Sequence, residues 1–209
     1  MSRLLTLGAG SGAAVTTLML ATFADTNGVL LTDYVVAPTN TPSATFSNLA
    51  GTMEIQSNRA TAKTLTSIRS AGVYDVGAAD VTVSGIVSIG STILDDHYGT
   101  GFILRATDLN NLWWCVVRRN DAKFSLYERN AGTDTLRASA NFTPSVNTEY
   151  AISAVCSGTT ITATLDGANQ IQYASASFQP TATKFGLIHV LINLPVTKPY
   201  VDTWMVTQP

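Results

Sequence analysis

Apolar and polar residues alternate with a period of two along most of this chain. The alternation is clear in residues 79–90 (ADVTVSGIVSIG), 122–129 (AKFSLYER) and 149–175, and the apolar segments 184–192 and 200–207 have the length of strands. Turn-forming pairs such as Asp-Gly, Ser-Gly and Asn-Asn separate these segments by about ten residues, which is typical of an antiparallel sandwich or barrel. Hardly any segment has the 3.6-residue period of a helix. We therefore predict an all-β domain.

One segment is apolar on both faces of its predicted strand. In residues 112–117 (LWWCVV), the two alternating sets of side chains are both apolar. A strand with this pattern lies in the middle of a sheet and is covered on both sides. One of the adjacent tryptophans, Trp113 and Trp114, therefore fills the core, and the other is a candidate contact residue.

Composition narrows the classes of partner. Charged residues make up 12% of the chain, against roughly 25% in an average soluble domain, so the surface must consist largely of neutral polar residues. The net charge of -2 provides no basic field for nucleic acid. No segment approaches the ~18 uninterrupted apolar residues of a membrane helix, so no membrane insertion is expected. Cys115, Cys156 and His189 lie in apolar runs and are predicted to be buried, and no cofactor is indicated.

The first residues imitate a secretory signal, with one basic residue followed by apolar and small residues. Several glycines break the apolar stretch, so we predict instead an extended N-terminal arm over residues 1–21 that contacts a neighbouring subunit. Residues 14–20 (AVTTLML) are a possible first strand, and residues 22–209 form the domain. The candidate interface residues of the arm are Arg3, Leu4, Leu5, Leu7, Leu18 and Leu20.

Several phrases follow one another in a fixed order over residues 23–206. They are FADTNGVLL, GTMEIQSNRATA, AADVTVSGIVSIG, the long segment 99–140, NTEYAISAVCSGTTITATLDGANQI, KFGLIHVL and YVDTWMV. In this order they resemble the concanavalin A-like (laminin-G-like) jelly roll, in the version found in virion proteins of tailed phages and in bacterial surface proteins. The resemblance implies a two-sheet antiparallel jelly-roll sandwich of the lectin/glucanase type, whose last strand pairs near its first.

The paired tryptophans give the candidate binding face. Sugar rings stack on aromatic faces because one side of the sugar is apolar and its edge is polar. The candidate glycan-binding residues are Trp113, Trp114, Arg105, Tyr127 and Asn111. The alternative is that both indoles are buried between the sheets or in a subunit interface.

Carboxylates are the other chemical groups to consider. The resemblance implies that Asp95 and Asp96 are candidate calcium ligands, although a solvated turn is the favoured interpretation. Glycoside hydrolysis needs two carboxyl groups close together, and Glu54, Glu128 and Glu149 are too scattered in the sequence to predict such a pair. We therefore predict no enzyme activity.

These observations favour a structural virion protein of a tailed phage. The first hypothesis is a capsid decoration or cement protein on the capsid surface. Its partners would be the major capsid protein or other virion subunits, and it would form a homo-oligomer such as a trimer. The second is a carbohydrate-binding adhesin or tail-fibre domain that recognises host glycans. A glycoside hydrolase is the third and least favoured alternative.

Overall fold

A computed structural model describes residues 15–36, 45–64, 69–90, 99–190 and 197–208, and these residues form strands, turns and loops without any helix. The described residues therefore contain no helix that could span a membrane. The strands are β1 (Thr16–Ala21), β2 (Ser47–Ala50), β3 (Met53–Ile55), β4 (Ala60–Ala62), β5 (Arg69–Asp75), β6 (Val81–Ser88), β7 (Gly99–Asp108), β8 (Asn111–Arg118), β9 (Lys123–Asn130), β10 (Thr133–Asn141), β11 (Glu149–Ser157), β12 (Thr160–Leu165), β13 (Asn169–Tyr173), β14 (Lys184–Val190) and β15 (Tyr200–Gln208).

The strands form two antiparallel sheets. The eight-stranded sheet has the order β13-β12-β11-β6-β15-β4-β3, and β1 also pairs with β15. The seven-stranded sheet has the order β10-β9-β8-β7-β14-β5-β2. Each order combines a run of sequence neighbours, β13-β12-β11 in one sheet and β10-β9-β8-β7 in the other, with strands that are distant in the chain, as jelly rolls do. The predicted all-β, two-sheet antiparallel sandwich is confirmed.

The main core lies between the two sheets. Strand β11 shows why the sequence folds this way, because its even-numbered residues from Tyr150 to Cys156 are buried while the odd-numbered ones face outward. The rings of Phe23, Phe46 and Trp204 meet in this core, with centroids 5.5 to 6.4 Å apart. Burying one such side chain contributes about 1.5–3 kcal/mol, so these aromatic residues hold the sheets together.

A second apolar cluster covers the outer face of the seven-stranded sheet. Strand β8 is buried from Leu112 to Val117 on both of its faces, as the pattern of residues 112–117 predicts. The buried members of this cluster are Ala71, Val73, Ile103, Ala106, Leu112, Trp114, Val116, Tyr127, Ile188 and Val190.

Tight turns join the strands of the eight-stranded sheet. Asp166 and Gly167 have φ angles of 50° and 70°, and the amide of Ala168 donates to the carbonyl of Leu165 at 3.1 Å. Two consecutive positive φ angles define the hairpin turn that favours Asp-Gly. The sequence therefore sets the register of β12 and β13.

The structure corrects the predicted boundary of the N-terminal arm. Residues 16–21 form β1, which pairs with β15 of the same chain, from Thr16 opposite Gln208 to Ala21 opposite Trp204. Met19 and Ala21 have no exposed surface, and Leu18 is also buried. This segment of the predicted inter-subunit arm is therefore part of the sandwich, because β15 offers it a free edge and the core accepts its apolar side chains.

The remaining arm residues divide into two groups. Leu20 lies on the outer side of β1 and is 42% exposed. Arg3, Leu4, Leu5 and Leu7 lie outside the described residues. Contact with a neighbouring subunit stays a prediction for these positions.

Candidate functional site

The two adjacent tryptophans point to opposite faces of β8. Trp113 lies in the core between the sheets with no exposed surface, and its Nε1 donates to the carbonyl oxygen of Phe178 at 2.7 Å. Trp114 lies in the outer cluster, where its ring stacks on Tyr127 with centroids 4.6 Å apart and an interplanar angle of 21°. As the alternation predicts, one indole is core filler. Trp114 is the one that can belong to an outer site.

Arg105 does not lie on the face of Trp114. It has a φ of 46° within an irregularity of the β7–β8 ladder between Leu104 and Asp108. A bulge of this kind interrupts the alternation of side chains, so Arg105 is fully buried and reaches the other sheet. There its guanidinium donates to Gly158 O and Asp80 Oδ1, both at 2.7 Å. Arg105 therefore ties the two sheets together.

Asn111 is the first residue of β8, directly after the turn that joins β7 and β8. Its amide nitrogen donates to both carboxylate oxygens of Asp108 at 3.0 and 2.9 Å, and its Oδ1 accepts from the amide of Ala131 at 3.2 Å. The hydrogen bonds from the Asn111 side chain and, after it, from the Asn110 amide hold the pKa of the Asp108 carboxyl below its ordinary value. The side chain of Asn111 is occupied in holding the turn.

A pocket of about 210 Å³ lies beside the stacked pair Trp114 and Tyr127. We call it the outer pocket. Strand pairing sets one row of its residues, because Arg69 is opposite Val190, Val190 is opposite Gly99, and Gly99 is opposite Arg118. The described residues that line it are Arg69, Gly99, Trp114, Val116, Arg118, Tyr127, Asp134 and Val190.

Arginines flank the aromatic pair of the outer pocket. The guanidinium carbon of Arg69 lies 5.7 Å from the centroid of the Trp114 ring, and that of Arg118 lies 5.6 Å from the centroid of the Tyr127 ring. Arg118 also donates a hydrogen bond to the Tyr127 hydroxyl. Contacts of this kind hold a guanidinium in a fixed orientation.

One aspartate oxygen bridges two of the arginines. Asp134 Oδ2 lies 2.5 Å from a terminal nitrogen of Arg69 and 2.9 Å from one of Arg129. Burial lowers the pKa of Arg69, and the Asp134 carboxylate opposes this effect. Arg118 pairs with Asp121 at 3.2 Å. The charged side chains around the pocket are therefore joined in ion pairs.

The aromatic faces of the outer pocket are already covered. Trp114 is 5% exposed and Tyr127 is 9% exposed, so neither ring offers an open platform. The indole nitrogen of Trp114 has no hydrogen-bond partner. The side chains of Arg69 and Arg118 retain 23% and 16% of their exposure, and they are the groups that a ligand can reach.

A second depression of about 420 Å³ lies on the eight-stranded sheet, and we call it the polar groove. Arg59 lies 4.0 Å above the ring of Tyr200 and pairs with Glu149 at 3.2 Å and with Asp202 at 3.9 Å. Burial raises the pKa of Asp202, and burial also raises that of Tyr200. The described lining residues are Gln56, Ser57, Arg59, Thr61, Asn147, Thr197, Lys198 and Tyr200.

The remaining titratable candidates of the described chain lie in the core. His189 is fully buried, shares a hydrogen bond with the hydroxyl of Thr100, and burial lowers its pKa to about 4. Cys115 and Cys156 are free thiols whose burial raises the pKa of each to about 12. The prediction that these three residues are buried is confirmed.

Metal ligation has no support within the described residues, where no three His, Cys, Asp or Glu side chains come together. Asp95 and Asp96 lie outside the described residues, so the calcium hypothesis stays a prediction.

Sequence reasoning missed Arg69, Arg118 and Asp134. A partial signal existed for Arg118, because it is four residues after Trp114 on the same strand face. Arg69 and Asp134 reach the pocket only through the order of the strands, which alternation does not give.

The sequence matches no protein-family model and no curated protein, whereas the fold matches solved structures. The carbohydrate-binding module CBM66 from Bacillus subtilis aligns with a TM-score of 0.61 at 14% identity, over 78% of this chain and 95% of that one. Domain 4 of AbnA, a GH43 extracellular arabinanase from Geobacillus stearothermophilus solved with arabinotriose, aligns with a TM-score of 0.60 at 12% identity, over 93% of both chains.

A third similar structure comes from a phage. The CBM2 module of the evolved Dit of Lactobacillus casei BL23 phage J-1 aligns with a TM-score of 0.57 at 11% identity, over 92% of this chain and 95% of that one. Identities this low establish the architecture alone. The chain has the jelly-roll sandwich found in carbohydrate-binding modules and lectin-like domains.

Proposed function

We propose that this protein is a non-catalytic carbohydrate-binding module and that the outer pocket is its binding site. The observation that carries the proposal is the row formed by Arg69, Val190, Gly99 and Arg118, which places two aromatic-packed arginines at its ends with only a valine and a glycine between them. The likeness to carbohydrate-binding modules favours this function over the capsid decoration predicted from the sequence.

The pocket suits one sugar residue. Its volume of about 210 Å³ is below the roughly 300–1,000 Å³ of sites for drug-sized ligands. The guanidiniums of Arg69 and Arg118 are multiple donors in a fixed geometry, which matches the closely spaced oxygens of a sugar. Because their orientation is set before binding, little side-chain entropy remains to be lost.

The test is binding to a panel of neutral and acidic polysaccharides by affinity electrophoresis and calorimetry. We expect at least one polysaccharide to bind, and Arg69→Gln with Arg118→Gln to weaken its binding at least tenfold, as the loss of two hydrogen bonds from charged groups implies. Arg119→Gln is the matched control, because Arg119 is exposed and follows Arg118 directly. Failure to bind any member, or equal binding by the double variant, would refute the proposal.

The non-catalytic part of the proposal rests on the carboxylates at the outer pocket. Among the described residues these are Asp121 and Asp134, and both are held in ion pairs with arginines, unlike the two facing carboxyl groups of a glycoside hydrolase. The polysaccharides that bind should therefore yield no new reducing ends after prolonged incubation. Measurable release that Glu149→Gln abolishes would place a hydrolase at the polar groove instead.

A place in a phage particle is the second candidate function, and the likeness to a module of phage J-1 Dit favours it. A virion protein can also bind glycans, so the two functions are compatible. Mass spectrometry of purified particles, with and without detached tails, would assign the protein to capsid, tail or neither. Its absence from particles would leave the carbohydrate-binding proposal as it stands.

A further inference from the structure

Among the described residues around the outer pocket, positive charges outnumber negative ones. The cations of the described residues here are Arg69, Arg118 and Arg129, and the carboxylates are Asp121 and Asp134. Lys123 adds a fourth cation, because it lies directly opposite Arg118 in the β8–β9 ladder. Like charges at opposite positions of a ladder destabilise it. A ligand anion at Arg118 would reduce this repulsion.

Within the part of the chain that the structure describes, the arginines also retain unused hydrogen-bond donors. Arg69 and Arg129 share the single oxygen Oδ2 of Asp134, although each guanidinium carries five N–H groups. Arg118 spends donors on the Tyr127 hydroxyl and on Asp121. A planar carboxylate can accept two parallel hydrogen bonds from one guanidinium, so the free donors match that ligand group.

A sugar ring cannot stack on the aromatic pair of this pocket, so its binding must depend on the arginine donors. Stacking of a sugar ring needs an open aromatic face, and the faces of Trp114 and Tyr127 are covered by each other and flanked by guanidiniums. From this balance we infer that the outer pocket selects acidic polysaccharides and binds a uronic acid carboxylate between Arg69 and Arg118. The inference rests on the proposed function and names its ligand class.

The polar groove has the opposite charge balance. Arg59 and Lys198 face three carboxylates, those of Glu54, Glu149 and Asp202. The anion is therefore expected at the outer pocket and not at this groove, so Arg59→Gln serves as a second control for loss of one positive charge.

The test compares each acidic polymer with its own neutral derivative. Polygalacturonate, alginate and hyaluronate are measured by calorimetry beside their carboxyl-reduced forms and beside neutral arabinan, levan and galactan. We expect an acidic member to bind at least tenfold more tightly than its reduced form, with affinity falling as sodium chloride screens the charges. Binding of neutral members alone would overturn the inference and keep the proposed function. Binding of no member would overturn both.

Substitutions at the pocket give the sharper result. Arg118→Gln should weaken binding of the acidic polymer roughly tenfold or more, whereas Arg119→Gln and Arg59→Gln should change it less than about twofold. Asp134→Asn should tighten binding several-fold, because it removes the carboxylate that competes for Arg69 and Arg129. Asp33→Asn, the same change at an exposed position away from the pocket, should have no effect. Unchanged or weaker binding by a folded Asp134→Asn variant would contradict the inference.

Discussion

The outer faces of the two sheets differ in how they are covered. On the eight-stranded sheet, one row across the strands reads Gln172, Thr162, Val155, Thr82 and Thr207. These side chains are short or polar, and Val155 is 41% exposed. On the seven-stranded sheet, the outer face carries the apolar cluster around Trp114 and Val116.

This difference can be seen in the sequence pattern of single strands. Strand β12 alternates between buried and partly exposed residues throughout, whereas β8 is buried at six successive positions. Strict alternation thus marks a strand with one solvated face, and a continuous apolar run marks a strand covered on both. The candidate site lies on the seven-stranded sheet, where the apolar cluster of the outer face and the fixed charges occur together.

The strongest test of this difference in cover is the same substitution on both outer faces. Val116→Asp places an unpaired charge at a fully buried position, and we expect it to cost more than about 4 kcal/mol of unfolding free energy or to prevent folding. Val155→Asp should cost less than about 1 kcal/mol. Urea denaturation measures both. Similar losses for the two variants would show that the faces are equally covered.

The buried histidine of the seven-stranded sheet makes the free energy of unfolding depend on pH, which gives a second test. His189 has a pKa of about 4 when folded and about 6.5 when unfolded, so between these values the unfolded state binds the additional proton. Stability should therefore fall as pH falls from 6.5 to 4, by up to about 3 kcal/mol from this residue.

Denaturation of wild type and His189→Asn across that range measures the effect of the histidine. The difference between the two proteins should narrow, or change sign, toward pH 4, because the variant lacks the titrating group. A constant difference at every pH would contradict the assignment of a lowered pKa to His189.

The smallest expected effect is the difference in stability loss between substitutions of the two tryptophans. Trp113→Phe leaves the carbonyl of Phe178 without its donor and should cost about 2–3 kcal/mol. Trp114→Phe removes an indole nitrogen that has no partner, so it should cost about 1 kcal/mol less than that. Thermal denaturation of the two variants gives the comparison. A larger loss for Trp114→Phe would mean that its nitrogen has a partner in solution.

Much of the fold could be predicted because alternation reports burial directly. The strand patterns, the two-sided character of residues 112–117 and the Asp166-Gly167 turn all follow from local sequence, and the structure confirms them. The arm boundary could not be predicted in the same way. An apolar segment such as residues 16–21 fits equally well on a neighbouring subunit or on its own sheet, and only the free edge of β15 decides between them.

Less of the candidate site was predictable. The pairing of Trp114 with Tyr127 follows from the register of β8 and β9, which the sequence leaves open. Strict alternation places Arg105 on the outer face together with Ile103. The bulge at Arg105 turns its side chain to the inner face instead. Arg69 lies on β5, and it reaches the pocket because β5 pairs with β14, a strand more than a hundred residues further along the chain. Contacts of this range carry no local signature in one sequence.

The position of β15 has a consequence for how the protein is made. This strand lies in the middle of its sheet, bordered by β6 on one side and by β4 and β1 on the other, yet it follows all the other described strands in the chain. Until Tyr200–Gln208 has emerged, the edges of β6 and β1 stay unpaired and can join strands of other nascent chains. Completion of the sheet must therefore wait for the synthesis of β15, and premature termination before Tyr200 should yield aggregates instead of a smaller folded product.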